Sequence, residues 1–219
     1  MSKEIEYLKN KDDVLATILN GDVEFVLSDN DIESDDILMQ KKVYEALLSS
    51  IISQQVSTAA AKSIKNKFMS LYGGKWPTYE ELLENDINYI RSAGLSGQKA
   101  GYVKNVAEYF SQQKSIKYAM MSDEEIIQKL TEIKGVGRWT VEMLLMFTLG
   151  CQDIFSIKDG GLINGVMKLY GLEKYHPKSG DTLSLTQKEF EKKILEITDA
   201  WSPYRSLASM YIWKYKDTK

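Results

Sequence analysis

Few side chains in this 219-residue sequence are suited to metal or thiol chemistry. Cys151 is the only cysteine and His176 is the only histidine. An iron–sulfur cluster needs several thiolates, and a zinc site is usually built from cysteine and histidine ligands. The sequence therefore argues against both, and any catalysis must use carboxylates, lysines, hydroxyl groups or a weakly bound cation.

A glycine-rich turn is the first candidate for ligand binding. In the string LTEIKGVGRWTVEMLLMF, which begins at Leu130, an amphipathic segment is joined to an almost wholly apolar one through GVG. Two glycines around one small residue permit positive φ and a very tight turn. A helix that begins at Arg138 would point its first amides outward at the positive end of its dipole, which suits a phosphate group. The spacing alone fits a plain helix–turn–helix connection equally well.

Asp159 is the second candidate. It closes an irregular polar loop in the string DIFSIKDGGLINGV and directly precedes a short predicted helix. Aspartate is a favoured N-cap that stabilises a helix by about 1 kcal/mol, and this role is compatible with a catalytic one. Asp153 is the competing acid; we expect it to be a solvated loop residue because it lies nearer the end of the apolar helix.

The helices that must position these groups can be recognised from capping and periodicity. Capping boxes begin at Thr78, Ser122 and Thr186, each followed three residues later by glutamate. Helical spacing of apolar residues dominates and strand-like alternation is scarce, which predicts an all-α fold. We expect helices over residues 36–53, 57–72, 78–84, 86–93, 97–113, 122–134, 138–149, 161–170, 187–201 and 203–216. A short helix near 11–19, a loop or strand at Val23–Leu27 and an exposed connection over 172–184 complete the prediction.

Composition indicates a soluble globular protein. The chain is 43% hydrophobic and 27% charged, and no apolar run approaches the roughly 18 residues of a membrane span. The charged N-terminus lacks the apolar stretch of a secretory signal, so we expect a cytoplasmic or nuclear location and no membrane partner. The net charge of −3 gives no broad basic footprint. It counts mildly against nucleic acid, although local amides and a few lysines can still bind phosphate.

Leu130, Ile133 and the GVG turn together resemble the helix–hairpin–helix motif of DNA base-excision glycosylases. Three further segments resemble the 3-methyladenine DNA glycosylase II branch of that family in the same order. They are IISQQVSTAAAKSI at 51–64, AGLSGQKAGYVKNVAEYF at 93–110 and WSPYRSLASMYIWKY at 201–215. The resemblance covers about residues 43–215. It implies a compact form without the N-terminal β-domain of longer members, with two helical lobes around a cleft: residues 1–42 and roughly 160–219 form one lobe, and 43–150 the other.

The resemblance implies a DNA repair enzyme that flips an alkylated purine, such as 3-methyladenine or 7-methylguanine, out of duplex DNA and hydrolyses its glycosidic bond. Asp159 matches the catalytic acid, although Ser156 replaces the proline of the usual F-P-x-x-D pattern. A carboxylate beside the sugar stabilises an oxocarbenium-like transition state, and a cationic base leaves readily without a general acid. Relatives that cut the strand carry a lysine where this chain has Trp139, so we expect a monofunctional enzyme that leaves an abasic site.

The resemblance also places residues around the flipped base. Trp139 and Trp213 match aromatic positions of the base pocket, and Tyr211 is a weaker candidate; core packing is the alternative for the tryptophans. Met143 replaces another pocket aromatic and Gly160 follows the acid where some members carry an aromatic, so the pocket should be more open.

The DNA contacts follow in the same way. Gln55 matches the residue that fills the gap left by the flipped base, or is simply a polar residue at a helix end. Further phosphate contacts are expected from Lys99, Lys134 and the hairpin residues Gly135, Val136, Gly137 and Arg138. The backbone carbonyls of Thr131, Ile133 and Val136 match those that hold a structural Na⁺, K⁺ or Mg²⁺, and no cofactor is required. Arg205 is expected in a buried network or in an ordinary surface ion pair.

The predicted partner is double-stranded DNA that contains damaged bases, bound by a monomer. Two alternatives stay open at this point. The enzyme could remove another purine lesion such as hypoxanthine, although no donor that would polarise a neutral base is evident. The chain could also be a non-catalytic, structure-specific DNA-binding protein, for which the hairpin alone would suffice.

Overall fold

The computed structural model describes residues 2–20, 36–113 and 115–218, and over these residues it contains helices and no strand. The prediction of an all-α fold is confirmed. The α-helices are α1 (Lys3–Lys11), α2 (Asp13–Ala16), α3 (Asp36–Ser53), α4 (Thr58–Ser70), α5 (Tyr79–Glu84), α6 (Ile87–Arg91), α7 (Gly97–Ser111), α8 (Asp123–Thr131), α9 (Arg138–Phe147), α10 (Gly160–Leu169), α11 (Gln187–Thr198) and α12 (Arg205–Asp217). Among the described residues, none of these helices is long and apolar enough to cross a membrane.

The predicted helix starts are confirmed where capping boxes announce them. At Thr78, Ser122 and Thr186 the hydroxyl accepts a hydrogen bond from the amide three residues on, and the glutamate there accepts one from the capping residue's own amide. Several helices end earlier than predicted, among them α7 at Ser111 and α9 at Phe147. α8 ends at Thr131, because the chain needs residues 132–134 to turn towards the hairpin.

The first helix was not predicted from sequence. α1 begins at Lys3, and Leu8 is its buried residue. The short helix predicted near 11–19 is confirmed by α2, Asp13–Ala16. Asp12 separates α1 from α2 and caps α2, and its other oxygen accepts hydrogen bonds from Tyr170 (2.5 Å) and Trp201 (2.9 Å). The loop or strand predicted at Val23–Leu27 lies outside the described residues.

The described residues form two compact units. The terminal unit comprises residues 2–20 and 150–218, and the central unit comprises residues 36–113 and 115–149. The sequence assigned residues 1–42 to the terminal lobe, whereas α3 begins at Asp36 and lies wholly in the central unit.

Each unit has its own apolar core. In the terminal unit, Trp201 and Phe190 are fully buried among the residues of α10, α11 and α12. Gly165 lets α10 approach α12 closely, since a Cβ atom there would lie 2.5 Å from a methyl group of Ile212. In the central unit, the buried face of α3 packs against α7 and α9. These cores hold the hairpin and the Asp159 loop, which belong to different units.

Candidate functional site

The hairpin between α8 and α9 is built on one indispensable glycine. Gly135 has φ of 106°, and a Cβ atom there would lie 2.3 Å from the ring of Tyr102. The Val136 amide donates to the Ile133 carbonyl (2.9 Å) and closes the turn. Any side chain at position 135 would therefore break both the turn and its packing.

Gly137 serves a different purpose. It is the N-cap of α9 with φ of −93°, which any residue can adopt, and a Cβ atom there would meet nothing within 4 Å. Only one of the two glycines thus uses the left-handed region. Gly137 has no side chain that could cap the helix, and no side-chain hydrogen bond caps the start of α9. The first amides of a helix point outward at the positive end of its dipole. This is the arrangement that the sequence predicted for an anion site.

Arg138 braces the hairpin from within. Its guanidinium donates two hydrogen bonds to Glu124 on α8 (3.0 and 2.8 Å) and one to Glu142 on α9 (2.8 Å). These hydrogen bonds raise the pKa of Arg138 and lower the pKa of Glu124. The guanidinium therefore fixes α8 against α9, and its predicted contact with DNA stays a prediction.

The carbonyl groups of the hairpin fall into two sets. Those of Lys134 and Gly135 accept hydrogen bonds from Asn105 (3.0 Å) and Gln54 (3.4 Å). The predicted cation ligands are the other set, the carbonyls of Thr131, Ile133 and Val136. Backbone oxygens are hard ligands that suit Na⁺, K⁺ or Mg²⁺, and a carbonyl that accepts one hydrogen bond retains a second lone pair. The residues present therefore fit the predicted cation.

The turn between α3 and α4 carries Gln55. Among the described residues it is the only non-glycine with positive φ, at 55°, and its side chain is exposed. Lys99 on α7 donates hydrogen bonds to the carbonyls of Ile52 (2.9 Å) and Gln54 (2.5 Å), and burial lowers the pKa of Lys99. The ammonium predicted to contact phosphate is thus engaged with the main chain of this turn.

One face of α9 is apolar and partly exposed. Trp139 is 41% exposed and Phe147 is 54% exposed, while Met143 between them is half-buried. The core-packing alternative for Trp139 is therefore wrong, and its ring remains a candidate for stacking on a base. Phe147 was missed by sequence reasoning, although its spacing of eight residues from Trp139 places both on one helix face.

In the terminal unit, Asp159 is held by two hydrogen-bond donors. Its Oδ1 atom accepts from the Leu162 amide (2.7 Å) and from the Trp213 indole nitrogen (3.0 Å). The predicted N-cap of α10 is confirmed, although α10 begins one residue earlier than expected. The half-buried carboxylate is thereby fixed in orientation.

Gly161 makes this arrangement possible and was not recognised from sequence. A Cβ atom there would lie 3.0 Å from Asp159 Oδ1 and 3.2 Å from the Trp213 ring. The side chain of Trp213 can therefore approach the Asp159 carboxylate, because Gly161 has no side chain between them. In the structure Trp213 orients the acid, and its predicted contact with a base stays a prediction. Tyr211 is 2% exposed in the core of the terminal unit, so packing accounts for its side chain.

Asp153 is not a solvated loop residue. Arg205 donates to both of its oxygens (2.7 and 3.0 Å) and Ser202 donates to one (2.7 Å). Burial alone would raise the pKa of Asp153, but these hydrogen bonds outweigh it and hold the pKa below its usual range. Arg205 therefore belongs to a partly buried network. Beside it, Ser206 donates to the Cys151 carbonyl (2.6 Å), so the start of α12 anchors the loop that delivers Asp159.

Comparisons with known proteins place these features in a family. Residues 48–194 match the model of the HhH-GPD superfamily base excision DNA repair proteins. DNA-3-methyladenine glycosylase 1 of Schizosaccharomyces pombe is 34% identical over 80% of this chain and 73% of the relative. The DNA-3-methyladenine glycosylase of Saccharomyces cerevisiae is 31% identical over 97% of this chain and 79% of the relative.

Among the solved structures that resemble this chain are two DNA repair enzymes that match nearly its whole length. The DNA-3-methyladenine glycosidase of Bacillus halodurans has a TM-score of 0.77 and 31% identity, covering 99% of this chain and 90% of its own. The 3-methyladenine DNA glycosylase of S. pombe, in complex with abasic DNA, has a TM-score of 0.75 and 31% identity, and both chains are covered completely.

Proposed function

The chain belongs to the HhH-GPD superfamily of base excision DNA repair proteins, and we propose that it is a DNA-3-methyladenine glycosylase that releases alkylated purines from duplex DNA. The observation that carries the proposal is Asp159, a carboxylate fixed by Trp213 and by the first turn of α10. The partner is double-stranded DNA with alkylated bases, bound by a monomer in the nucleoid or the nucleus.

The chemistry needs one carboxylate. Cleavage of the glycosidic bond develops positive charge on the sugar, and a preorganised negative charge stabilises that transition state. Because Asp159 is already hydrogen-bonded at one oxygen, it does not have to reorient when the charge develops. An alkylated purine carries its own positive charge and leaves without protonation, so the mechanism requires no general acid.

The product is an abasic site in an uncut strand. Cleavage through a Schiff base requires a lysine amine at the sugar, and the position two residues after Gly137 is Trp139. The exposed ring of Trp139 suits a different role, because the face of an indole attracts a cationic base.

The hairpin binds the phosphate backbone of the DNA. The first amides of α9 bind a phosphate, and the carbonyls of Thr131, Ile133 and Val136 would hold a Na⁺, K⁺ or Mg²⁺ ion whose positive charge would favour binding of the phosphate backbone. Such contacts position the duplex without reading its bases.

Release of free alkylated base from methylated duplex DNA tests the proposal. We expect the wild-type protein to release it and Asp159→Asn to lower the single-turnover rate by at least about a hundredfold. Asparagine caps helices as well as aspartate does, so Asp159→Asn should melt at the wild-type temperature. Asp181→Asn, in an exposed loop, is the matched control and should be fully active.

Two results would refute the proposal. One is that the wild-type protein releases no base from any alkylated duplex. The other is that folded Asp159→Asn keeps the wild-type rate. A duplex with hypoxanthine, run in parallel, tests the alternative substrate class of neutral deaminated purines, for which we expect much slower release.

A further inference from the structure

One face of α7 contacts both DNA-binding elements proposed for the central unit. Lys99, Tyr102 and Asn105 are spaced by three residues and therefore lie on the same side of the helix. Tyr102 packs against Gly135, and Asn105 donates to the Lys134 carbonyl. Lys99 instead reaches the turn that carries Gln55.

The Gln55 turn is a conformation that needs support. Helices commonly end with glycine or asparagine in the left-handed region, because other residues are disfavoured there. After α3 this region is occupied by Gln55. Helix ends also leave their last carbonyl groups without partners, and a cation there is favoured by the helix dipole.

The ammonium group of Lys99 both supplies hydrogen bonds to carbonyls at the end of α3 and supports the turn at Gln55. Its two acceptors are the carbonyl of Ile52, in the last turn of α3, and the carbonyl of Gln54, directly before Gln55. The two contacts hold the main chain on the approach to Gln55. Gln54 in turn donates through its side-chain amide to the Gly135 carbonyl (3.4 Å), which sets the turn in register with the hairpin.

We propose that Lys99 is a positioning residue whose ammonium holds Gln55 in its left-handed conformation and thereby places the side chain that fills the gap left by a flipped base. This rests on the proposed function, within which Gln55 acts on DNA. Lys99 itself touches neither the base nor the phosphate backbone in this role, which distinguishes it from the phosphate contact expected from sequence.

The test compares Lys99→Met, which keeps the length of the side chain, with Lys99→Arg, which keeps its charge. Hydrogen exchange over residues 50–57 of the DNA-free protein reports the turn directly and does not depend on catalysis. Base flipping is followed by the fluorescence of 2-aminopurine placed beside the target base, and excision by single-turnover kinetics. Binding to undamaged duplex is measured over a range of salt concentrations.

We expect Lys99→Met to speed exchange in the turn and to lower flipping and excision by about tenfold, the usual consequence of losing charged hydrogen bonds. Lys99→Arg should recover part of each. Affinity for undamaged duplex and its salt slope should not change. In a Gln55→Ala background, Lys99→Met should lower flipping by less than about twofold, because the side chain it positions is absent.

Three results would overturn the proposal. The first is that hydrogen exchange over residues 50–57 is unchanged in folded Lys99→Met. The second is that Lys99→Met lowers base flipping as much in the Gln55→Ala background as in the wild-type background. The salt slope could also fall by about one, which would mark Lys99 as a phosphate contact. If the wild-type protein releases no alkylated base, the proposed function fails, while exchange and 2-aminopurine fluorescence still decide the role of Lys99.

Discussion

The hairpin of the central unit and the Asp159 loop of the terminal unit present their functional groups in opposite ways. The hairpin presents main-chain amides and carbonyls, and side-chain hydrogen bonds stabilise its conformation. Arg138 does this by donating to Glu124 and Glu142. The Asp159 loop offers one side chain, which is braced by a main-chain amide of α10 and the indole of Trp213.

The proposed main-chain phosphate site would explain how an acidic protein binds DNA. A phosphate site made of main-chain amides needs few basic side chains, so it is compatible with a net charge of −3. Such a site depends on glycine positions and tolerates most other substitutions. A single catalytic carboxylate instead depends on the atoms about 3 Å away. Binding and chemistry should therefore be separable by mutation.

Gly137→Asp should impair DNA binding by the hairpin without changing the Asp159 loop. We expect its effect on DNA binding to be larger than the effects of the substitutions at Trp213 and Asp153 described below. Position 137 has N-cap geometry and open space around its Cβ atom, so the new carboxylate should cap α9 and stabilise the fold by up to about 1 kcal/mol. The same carboxylate covers the amides proposed to bind phosphate and repels it. We expect duplex affinity to fall by at least about tenfold while the thermal midpoint rises.

Gly137→Ser is the matched control, because serine caps the same amides without adding charge. It should weaken binding less than Gly137→Asp at low salt. Fluorescence anisotropy with an undamaged duplex and thermal melts of the free proteins give the two readouts. Wild-type affinity in both variants would show that the amides of α9 do not bind phosphate.

Trp213→Phe tests how the Asp159 loop orients its carboxylate. Phenylalanine retains an aromatic ring beside Gly161 but cannot donate the 3.0 Å hydrogen bond to Asp159. Losing one hydrogen bond to a charged group should lower the single-turnover excision rate by about tenfold, with duplex affinity unchanged. If affinity for damaged duplex falls and the rate at saturation does not, Trp213 contacts the base and does not orient the acid.

Local signals predicted most of the helices and the hairpin. A capping box needs only residues three apart, and the GVG turn is contained in three positions, so both can be recognised in a single sequence. The C-terminal ends of helices were less predictable. The last turn of α8, for example, depends on the path that the chain takes to Gly135. α1 was missed, since it is short and Leu8 is the one residue among its nine that is buried.

The sequence named candidate residues for the site, but it could not predict the contacts between them. Asp159 and Trp213 are 54 residues apart in sequence, and Asp153 and Arg205 are 52 apart. No local spacing encodes such pairs, because they form only when loops and helices pack. For the same reason the sequence suggested a solvated Asp153, whereas the fold places it against α12.

The smallest effect is expected at Asp153, which contrasts with Asp159, the acid proposed to be catalytic. Its pKa is held below the usual range in the folded protein. The stability it contributes is therefore fully present above its unfolded pKa of about 4 and is lost as the pH falls through the lower folded value. Asp153→Asn should lower the free energy of unfolding by up to about 1 kcal/mol at pH 7, and this difference from wild type should shrink below about pH 4.

Urea unfolding from pH 7 to pH 3 measures that difference, and excision by the folded fraction is measured at pH 7. Because Asp153 braces the loop and Asp159 is the acid proposed to act on the substrate, Asp153→Asn should keep the single-turnover rate within about threefold of wild type, unlike Asp159→Asn. A difference in stability that persists unchanged to pH 3 would show that the ionised carboxylate is not what holds Arg205. A loss of rate as large as that of Asp159→Asn would instead make Asp153 part of the chemistry and remove the distinction between the two acids.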